Sequence, residues 1–80
     1  MLKLNIVSPE GVAYEGNVES VSVPGSLGQF QILNNHAPII SLLEAGEVIY
    51  KDLAGERKVK TVKGGFVEVQ QNNVNVCVEL

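Results

Sequence analysis

The sequence predicts a small all-β domain, built as an antiparallel sandwich or barrel. In several short segments apolar and polar residues alternate with a period of two, which is typical of strands with one buried face. Turn-forming residues recur about every 8–12 residues, the spacing found in sandwiches and barrels. The chain has only four aromatic residues, so Val, Leu and Ile must form the core. Such side chains pack well on a pleated surface.

Size and composition indicate one ordered domain spanning residues 1–80. A chain of 80 residues buries only about 60% of its unfolded surface on folding, so the predicted core is thin. Hydrophobic residues make up 45% of the chain and charged residues 19%, which is ordinary for a globular domain and argues against disorder.

Charge and cysteine content argue against one class of partner and indicate a cellular compartment. Six basic against nine acidic residues give a net charge of −3, which argues against nucleic acid because phosphate contacts need a dense basic face. No apolar run has the length of a signal peptide or a membrane span. The single cysteine, Cys77, cannot form an internal disulfide, which fits a reducing compartment. We therefore expect a soluble, cytoplasmic protein.

The first third of the chain predicts two strands and a bulge. Alternation places three apolar side chains on one face of a strand at Leu2–Ile6. Turn residues at Ser8–Gly11 end it, and a second short strand follows at Val12–Glu15. Further on, the three-residue step from Val18 to Val21 shifts the phase of alternation, which predicts a β-bulge.

The middle of the chain predicts strands separated by two loops, at 24–28 and 34–38. The apolar run Ile39–Leu43 is compatible with a buried strand or the start of a helix. The proline and glycine that bound it leave too little chain for a typical helix, so we predict a strand. The strands predicted for this region are Gln29–Leu33, Ile39–Leu43, Glu47–Leu53 and Glu56–Val62.

The last hairpin carries the clearest pattern. A two-residue turn at 72–73 would place Val69 opposite Val76 and Val67 opposite Val78, with all four valines on one face. Asparagine suits the positive φ that such turns need. The prediction is therefore an inward-facing valine hairpin in this register.

No constellation of catalytic, cofactor-binding or metal-binding residues is present. One histidine and one cysteine cannot supply a typical metal site. His36 and Asp52 could belong to a catalytic triad only with a serine that no local motif provides. The glycines at 25–28 and 64–65 lack the flanking residues of a phosphate-binding loop and are predicted to serve turns.

Three features leave a binding role open. The basic cluster at 57–63 (Arg57, Lys58, Lys60 and Lys63) alternates with other residues, so we expect the solvated face of a strand, with binding as the alternative. His36 lies in a loop, where it either bonds to backbone groups or contacts a partner. Val12, Val18 and Ile39–Leu43 supply more apolar residues than a thin core requires, so we expect some of them to form an exposed patch covered by a partner.

Several segments together resemble one family. The longest is Val23–Leu43, with the sequence VPGSLGQFQILNNHAPIISLL. Others are LNIVSPEG at 4–11, LEAG at 43–46 and GGFVEV at 64–69. In this order they resemble the epsilon subunit of F-type ATP synthases, and the similarity extends over the whole chain.

The resemblance implies a ten-stranded β-sandwich in two sheets at the foot of the rotating central stalk. It implies a non-catalytic subunit, without a cofactor, that packs on the gamma subunit and the c-ring and couples proton-driven rotation to ATP synthesis. The location implied is the cytoplasmic face of the bacterial inner membrane, peripheral and not inserted.

The resemblance also implies a contact surface near the polar loops of the ring. Its residues are Gln29, Phe30, Gln31, Asn34, Asn35, His36, Ala37 and Pro38. Position 29 is Gln where many relatives have an acidic residue, so an ion pair to the ring is not expected there. Family members usually continue into two C-terminal helices. Because the sequence stops at Leu80, we expect neither their brake on hydrolysis nor their nucleotide binding.

A different class is the main alternative. Lipoyl and biotinyl carrier domains are also small β-sandwiches, and Lys51-Asp52 in a predicted hairpin is faintly similar to their modified lysine. The acidic or methionine setting of that lysine is absent here. Another β-sandwich binding module is the remaining alternative.

Overall fold

The structure, a computed structural model covering residues 1–80, consists of eight β-strands and contains no helix. The all-β prediction is confirmed. Since no helix forms, none is available that could cross a membrane. The strands are β1 (Leu2–Ser8), β2 (Gly11–Gly25), β3 (Gly28–Ile32), β4 (Ile39–Leu43), β5 (Gly46–Asp52), β6 (Arg57–Val62), β7 (Gly64–Gln70) and β8 (Asn73–Glu79).

Strand β2 joins the two layers of the fold. Its 15 residues would extend roughly 50 Å if straight, whereas the molecule measures only 26 × 23 × 19 Å. The strand therefore bends, and its register with β5 shifts between Val18 and Ser20. This shift confirms the predicted bulge. The first half of β2 pairs with β1, and the second half pairs with β5 and β3.

The pairings define the order of strands in each layer. The first layer runs β4-β7-β8-β1-β2, and the second runs β3-β2-β5-β6. Eight strands form where about ten were expected. One strand fewer forms because residues 11–25 continue as a single strand through Gly16. One pairing, β1 with β8, is parallel, and all others are antiparallel.

The core is entirely apolar. Sixteen buried hydrophobic residues form one cluster, and no polar or charged residue is buried. Its members come from both layers and include three residues from each of β1 and β8. They are Leu2, Leu4, Ile6, Val18, Val21, Val23, Ile32, Leu43, Val48, Tyr50, Val62, Val67, Val69, Val74, Val76 and Val78.

The last hairpin has the predicted faces but a different register. The turn lies at 71–72, where both residues have positive φ. Val69 therefore pairs with Val74, and Val67 pairs with Val76. The predicted pairing was wrong, but the inward orientation of its valines is confirmed. A change of two residues in register keeps each side chain on the same face.

Contacts beyond the hairpin select this register. The main-chain carbonyl of Asn72 accepts a hydrogen bond from the backbone N–H of Lys3, 2.8 Å away. At the other end Gly65 faces Val78 with φ +146°, and a Cβ there would collide with the carbonyl oxygen of Cys77. The glycine thus permits a close approach of β7 and β8 that no other residue allows.

The basic side chains of β6 differ from expectation. Lys58 and Lys60 pair with Tyr50 and Val48, which are buried, so both lysines start on the core side of the sheet. Lys58 is nevertheless exposed and Lys60 half-buried. The predicted solvation is therefore confirmed for Lys58, whereas the basic residues do not share a single outer face. Strand β6 is an edge strand that pairs only with β5. Their long side chains can reach solvent past that edge.

Candidate partner-binding surfaces

The predicted contact residues of β3 lie on opposite faces. Gln29 and Gln31 are exposed on the outer face of the second layer. The amide of Gln29 donates a hydrogen bond to the hydroxyl of Ser22 over 3.0 Å. Phe30 points the other way, pairs with buried Val23 and packs against the core. A partner on this outer face would therefore contact the two glutamines and not the phenylalanine.

The predicted contact loop, at 34–38, is ordered by backbone contacts. Asn34, Asn35, Ala37 and Pro38 are exposed, and His36 is half-buried. The Nδ1 atom of His36 lies 2.7 Å from the carbonyl oxygen of Ala37. Because a carbonyl oxygen only accepts, Nδ1 is the donor in this contact. Of the two predicted roles of His36, backbone bonding is thus present, and partner contact stays a prediction.

These predicted residues lie at both ends of β3. Strand β3 separates the hairpin turn beside Gln29 from the 34–38 loop, and five residues of strand span about 13 Å. The loop instead reaches the turn between β7 and β8, where the backbone N–H of Asn35 donates to Oδ1 of Asn72 over 2.6 Å.

A row of apolar side chains crosses the outer face of the first layer. The register pairs Leu42 with Phe66, Phe66 with Cys77, Cys77 with Val7 and Val7 with Val12. We call these five residues the outer row. Directly paired side chains are neighbours, so the row is continuous over five strands and about 19 Å long. Leu42 is 69% exposed, Val12 67% and Phe66 43%.

Polar residues border the outer row. In the adjacent row Glu68 pairs with Asn75, and the Asn75 side chain accepts a hydrogen bond of 3.0 Å from the amide of Asn5. Beside them Lys3 and Glu15 form an exposed ion pair of 3.9 Å. A groove of about 550 Å³ runs over the apolar side chains near Pro9. An apolar centre with a polar border is typical of a protein-binding surface.

Only part of the outer row was predicted. Some residues among Val12, Val18 and Ile39–Leu43 were expected to form an exposed patch, and Val12, Ile40 and Leu42 are exposed. Val18 and Leu43, from the same set, are buried in the core. Val7, Phe66 and Cys77 were missed because each belongs to a different strand. Their outward positions in β1, β7 and β8 were a signal, but only the pairing places them side by side.

The outer face of the second layer is mostly polar, with Ile49 and Val59 as apolar members. Ser22, Gln31 and Lys51 contribute to a shallow depression there, and Lys51 forms an ion pair of 3.6 Å with Glu19. Lys51 lies within β5, paired with Ser20 and Arg57, and not at a turn. This position does not fit the modified lysine of a carrier domain.

The remaining chemistry-bearing groups have local roles. The carboxylate of Asp52 accepts hydrogen bonds from the backbone N–H groups of Ala54 and Glu56, at 3.0 and 2.9 Å, and thereby holds the β5–β6 turn. No three His, Cys, Asp or Glu side chains converge.

Comparison with known proteins gives a family for the chain. The family model described as "ATP synthase, Delta/Epsilon chain, beta-sandwich domain" matches residues 1–80. The ATP synthase epsilon chain of Leptospira interrogans (strain Fiocruz L1-130) is 44% identical over 79 residues, which is 98% of this chain and 61% of that protein. The epsilon chain of Wolinella succinogenes is 39% identical, covering 99% and 60%. The chain thus spans about 60% of the length of these relatives.

Two solved structures share the fold. A chain of the Euglena gracilis mitochondrial ATP synthase (OSCP/F1/c-ring) aligns with a TM-score of 0.91 and 16% identity, over 96% of this chain and 49% of that one. A chain of the Tetrahymena thermophila central stalk/c-ring assembly aligns with a TM-score of 0.82 and 13% identity, over 99% and 63%. At such identities the likeness concerns the fold alone.

Proposed function

The chain belongs to the family of ATP synthase delta/epsilon-chain β-sandwich domains, and we propose that residues 1–80 act as one rigid, non-catalytic unit of the rotor's central stalk. In this role it packs on the gamma subunit and on the c-ring, and it couples ring rotation to ATP synthesis in a proton-translocating enzyme. It lies at the cytoplasmic face of the bacterial inner membrane, peripheral and held there through the complex.

The observation that carries the proposal is the outer row. Five apolar residues, from Leu42 to Val12, lie side by side on a face that no other part of the chain covers. Removing such a row from water is the main gain of a permanent protein contact. We assign this face to gamma, because a torque-bearing joint needs a broad apolar contact on a stiff sheet.

The 34–38 loop belongs to the same contact. Pro38, Ile40, Glu68 and Gln70 line a depression that joins the loop to the outer face of the first layer. Ile40, 74% exposed, extends the apolar surface toward the loop. We therefore assign the loop to gamma, whereas the resemblance implied the ring.

The outer face of β3 is assigned to the c-ring. Gln29 and Gln31 present neutral amides on the opposite layer, suited to hydrogen bonds with the polar loops of a ring. Leu27, fully exposed at the adjacent turn, projects beside them. Separate layers then hold separate partners, so the sandwich itself transmits force between them.

The outer row is tested by placing a charge in it. We expect Leu42→Asp and Val12→Asp each to weaken binding to purified gamma roughly 100-fold, because an unpaired carboxylate buried in an apolar contact costs several kcal/mol. Both side chains are exposed in the free chain, so melting temperatures should stay close to that of the parent. Titration calorimetry and thermal unfolding measure the two quantities.

Leu53→Asp is the matched control. Leu53 is 50% exposed but lies in the β5–β6 turn, outside the outer row. Parental affinity for gamma in the two outer-row variants would contradict the assignment, as would an equal loss in all three.

The ring contact is tested separately by photo-crosslinkers at Gln29 and Gln31, which should capture c subunits. Thr61, exposed at the far edge of the same layer, is the control position.

A further inference from the structure

We propose that Asn72 is a positioning residue that holds the 34–38 loop in its binding conformation. The proposal rests on the function above, which assigns this loop to gamma. Two hydrogen bonds join Asn72 to Asn35 across 37 residues of sequence. The N–H of Asn35 donates to Oδ1 of Asn72 over 2.6 Å, and Nδ2 of Asn72 donates to Oδ1 of Asn35 over 3.3 Å. We call this pair the asparagine clasp.

The backbone of Asn72 is itself fixed. Its carbonyl accepts the 2.8 Å hydrogen bond from the N–H of Lys3, which ties the β7–β8 turn to the start of β1. The side chain of Asn72 thus extends from an anchored point. A single residue connects the first strand, the last hairpin and the contact loop.

No other hydrogen bond attaches the 34–38 loop to the rest of the molecule. Its remaining hydrogen bonds stay within 33–38, where the N–H of His36 donates to the carbonyl of Leu33 and the His36 ring bonds to Ala37. Without the clasp, no hydrogen bond would join the loop to the rest of the molecule. A loop free to move must lose that freedom on binding, which weakens affinity.

Backbone conformation explains why asparagine occupies both positions. Asn35 has φ 65° and Asn72 has φ 63°, in the left-handed region that asparagine tolerates better than most residues. Glycine tolerates it too but has no side chain to form the clasp. Glycine substitution therefore removes the hydrogen bonds and leaves the backbone unstrained.

Hydrogen exchange of the 80-residue chain tests the clasp. Asn72→Gly should speed exchange of the Asn35 amide about tenfold, the effect of losing one net hydrogen bond in a local opening. Asn72→Asp keeps the accepting Oδ1 and should retain most of the protection. Asn34→Ala, in the same loop but without a hydrogen bond, is the control. The amides of β1 and β8 should exchange at the rate set by each variant's global stability. Unchanged exchange of the Asn35 amide in Asn72→Gly would overturn the clasp.

Affinity for purified gamma tests the positioning role. We expect Asn72→Gly to bind roughly tenfold more weakly, with Asn72→Asp close to the parent. If His36→Ala weakens binding but Asn72→Gly does not, positioning by Asn72 is overturned and the loop contact stands. If His36→Ala and Pro38→Ala both leave affinity unchanged, the loop does not meet gamma, and both proposals fail for this loop.

Discussion

At the scale of single residues, Tyr50 is the only buried side chain with a titratable group. It is 2% exposed, and its ring centroid lies 4.5 Å from that of Tyr14 at an angle of 41°. Burial raises the pKa of the Tyr50 phenol above its ordinary value of 10.0, and the nearby Tyr14 and Asp52 raise this pKa further. The neutral phenol is the form that the core accepts, because burial penalises the phenolate.

Tyr50 therefore predicts a stability loss in alkali. A group with a raised pKa in the folded state stabilises the fold fully below its unfolded pKa, and the contribution disappears as pH rises through the folded pKa. We expect the free energy of unfolding to fall above about pH 10. Tyr50→Phe should lessen that fall and match the parent at pH 7. Urea titrations across this range measure both, and an unchanged alkaline fall in Tyr50→Phe would assign the loss to other groups.

At the scale of elements, β6 shows how the fold protects an open edge. An unpaired edge is a template for pairing with another chain, and charged side chains pointing inward prevent it. Lys60 occupies such a position, opposite buried Val48. A second copy that added a strand here would have to bury this ammonium group. Strand β6 thus has charged or polar side chains on both of its faces, which opposes self-association at this edge.

Lys60→Val removes that protection. We expect the variant to self-associate at concentrations where the parent does not, because an apolar edge pairs readily. Thr61→Val adds a similar apolar side chain on the outer face of the same strand and keeps Lys60, so it is the control. Sedimentation velocity distinguishes them. Equal association of both variants would show that added hydrophobicity, and not the loss of the inward charge, is responsible.

At the scale of the whole molecule, the first and last strands lie in the middle of one layer. Strand β1 pairs with β8 on one side and with β2 on the other, and β8 also pairs with β7. Leu2, Leu4 and Ile6 of β1 and Val74, Val76 and Val78 of β8 are all buried. Strands β3 and β6 each have a single partner. Pairing between the first strand and the last strand therefore completes this layer.

This arrangement predicts a gradient of hydrogen exchange. Amides that bond between β1 and β8 should open only with global unfolding, whereas those of β6 should exchange through local opening. Native-state exchange at increasing denaturant separates the two routes. Denaturant should strongly accelerate exchange in β1 and leave β6 nearly unaffected at low concentration. Equal protection in β6 and β1 would contradict the gradient.

The sequence by itself determined the class of fold and the faces of most strands. Alternation within one strand depends only on which side chains leave water, so the inward valines of β7 and β8 and the bulge after Val18 were predictable. The resemblance in Val23–Leu43 also pointed to the family. These signals are local or are carried by a contiguous stretch.

Tertiary structure decided which residues became neighbours. The register of the last hairpin depends on Lys3 and Gly65, and the asparagine clasp joins positions 37 residues apart. The outer row needs five strands in one order before Val7, Phe66 and Cys77 meet. Alternation of apolar and polar residues along a strand shows which face each side chain occupies. It does not show which residue of the neighbouring strand lies beside it. Lateral neighbours are set by pairing between distant segments, and the proposed binding surface depends on that pairing.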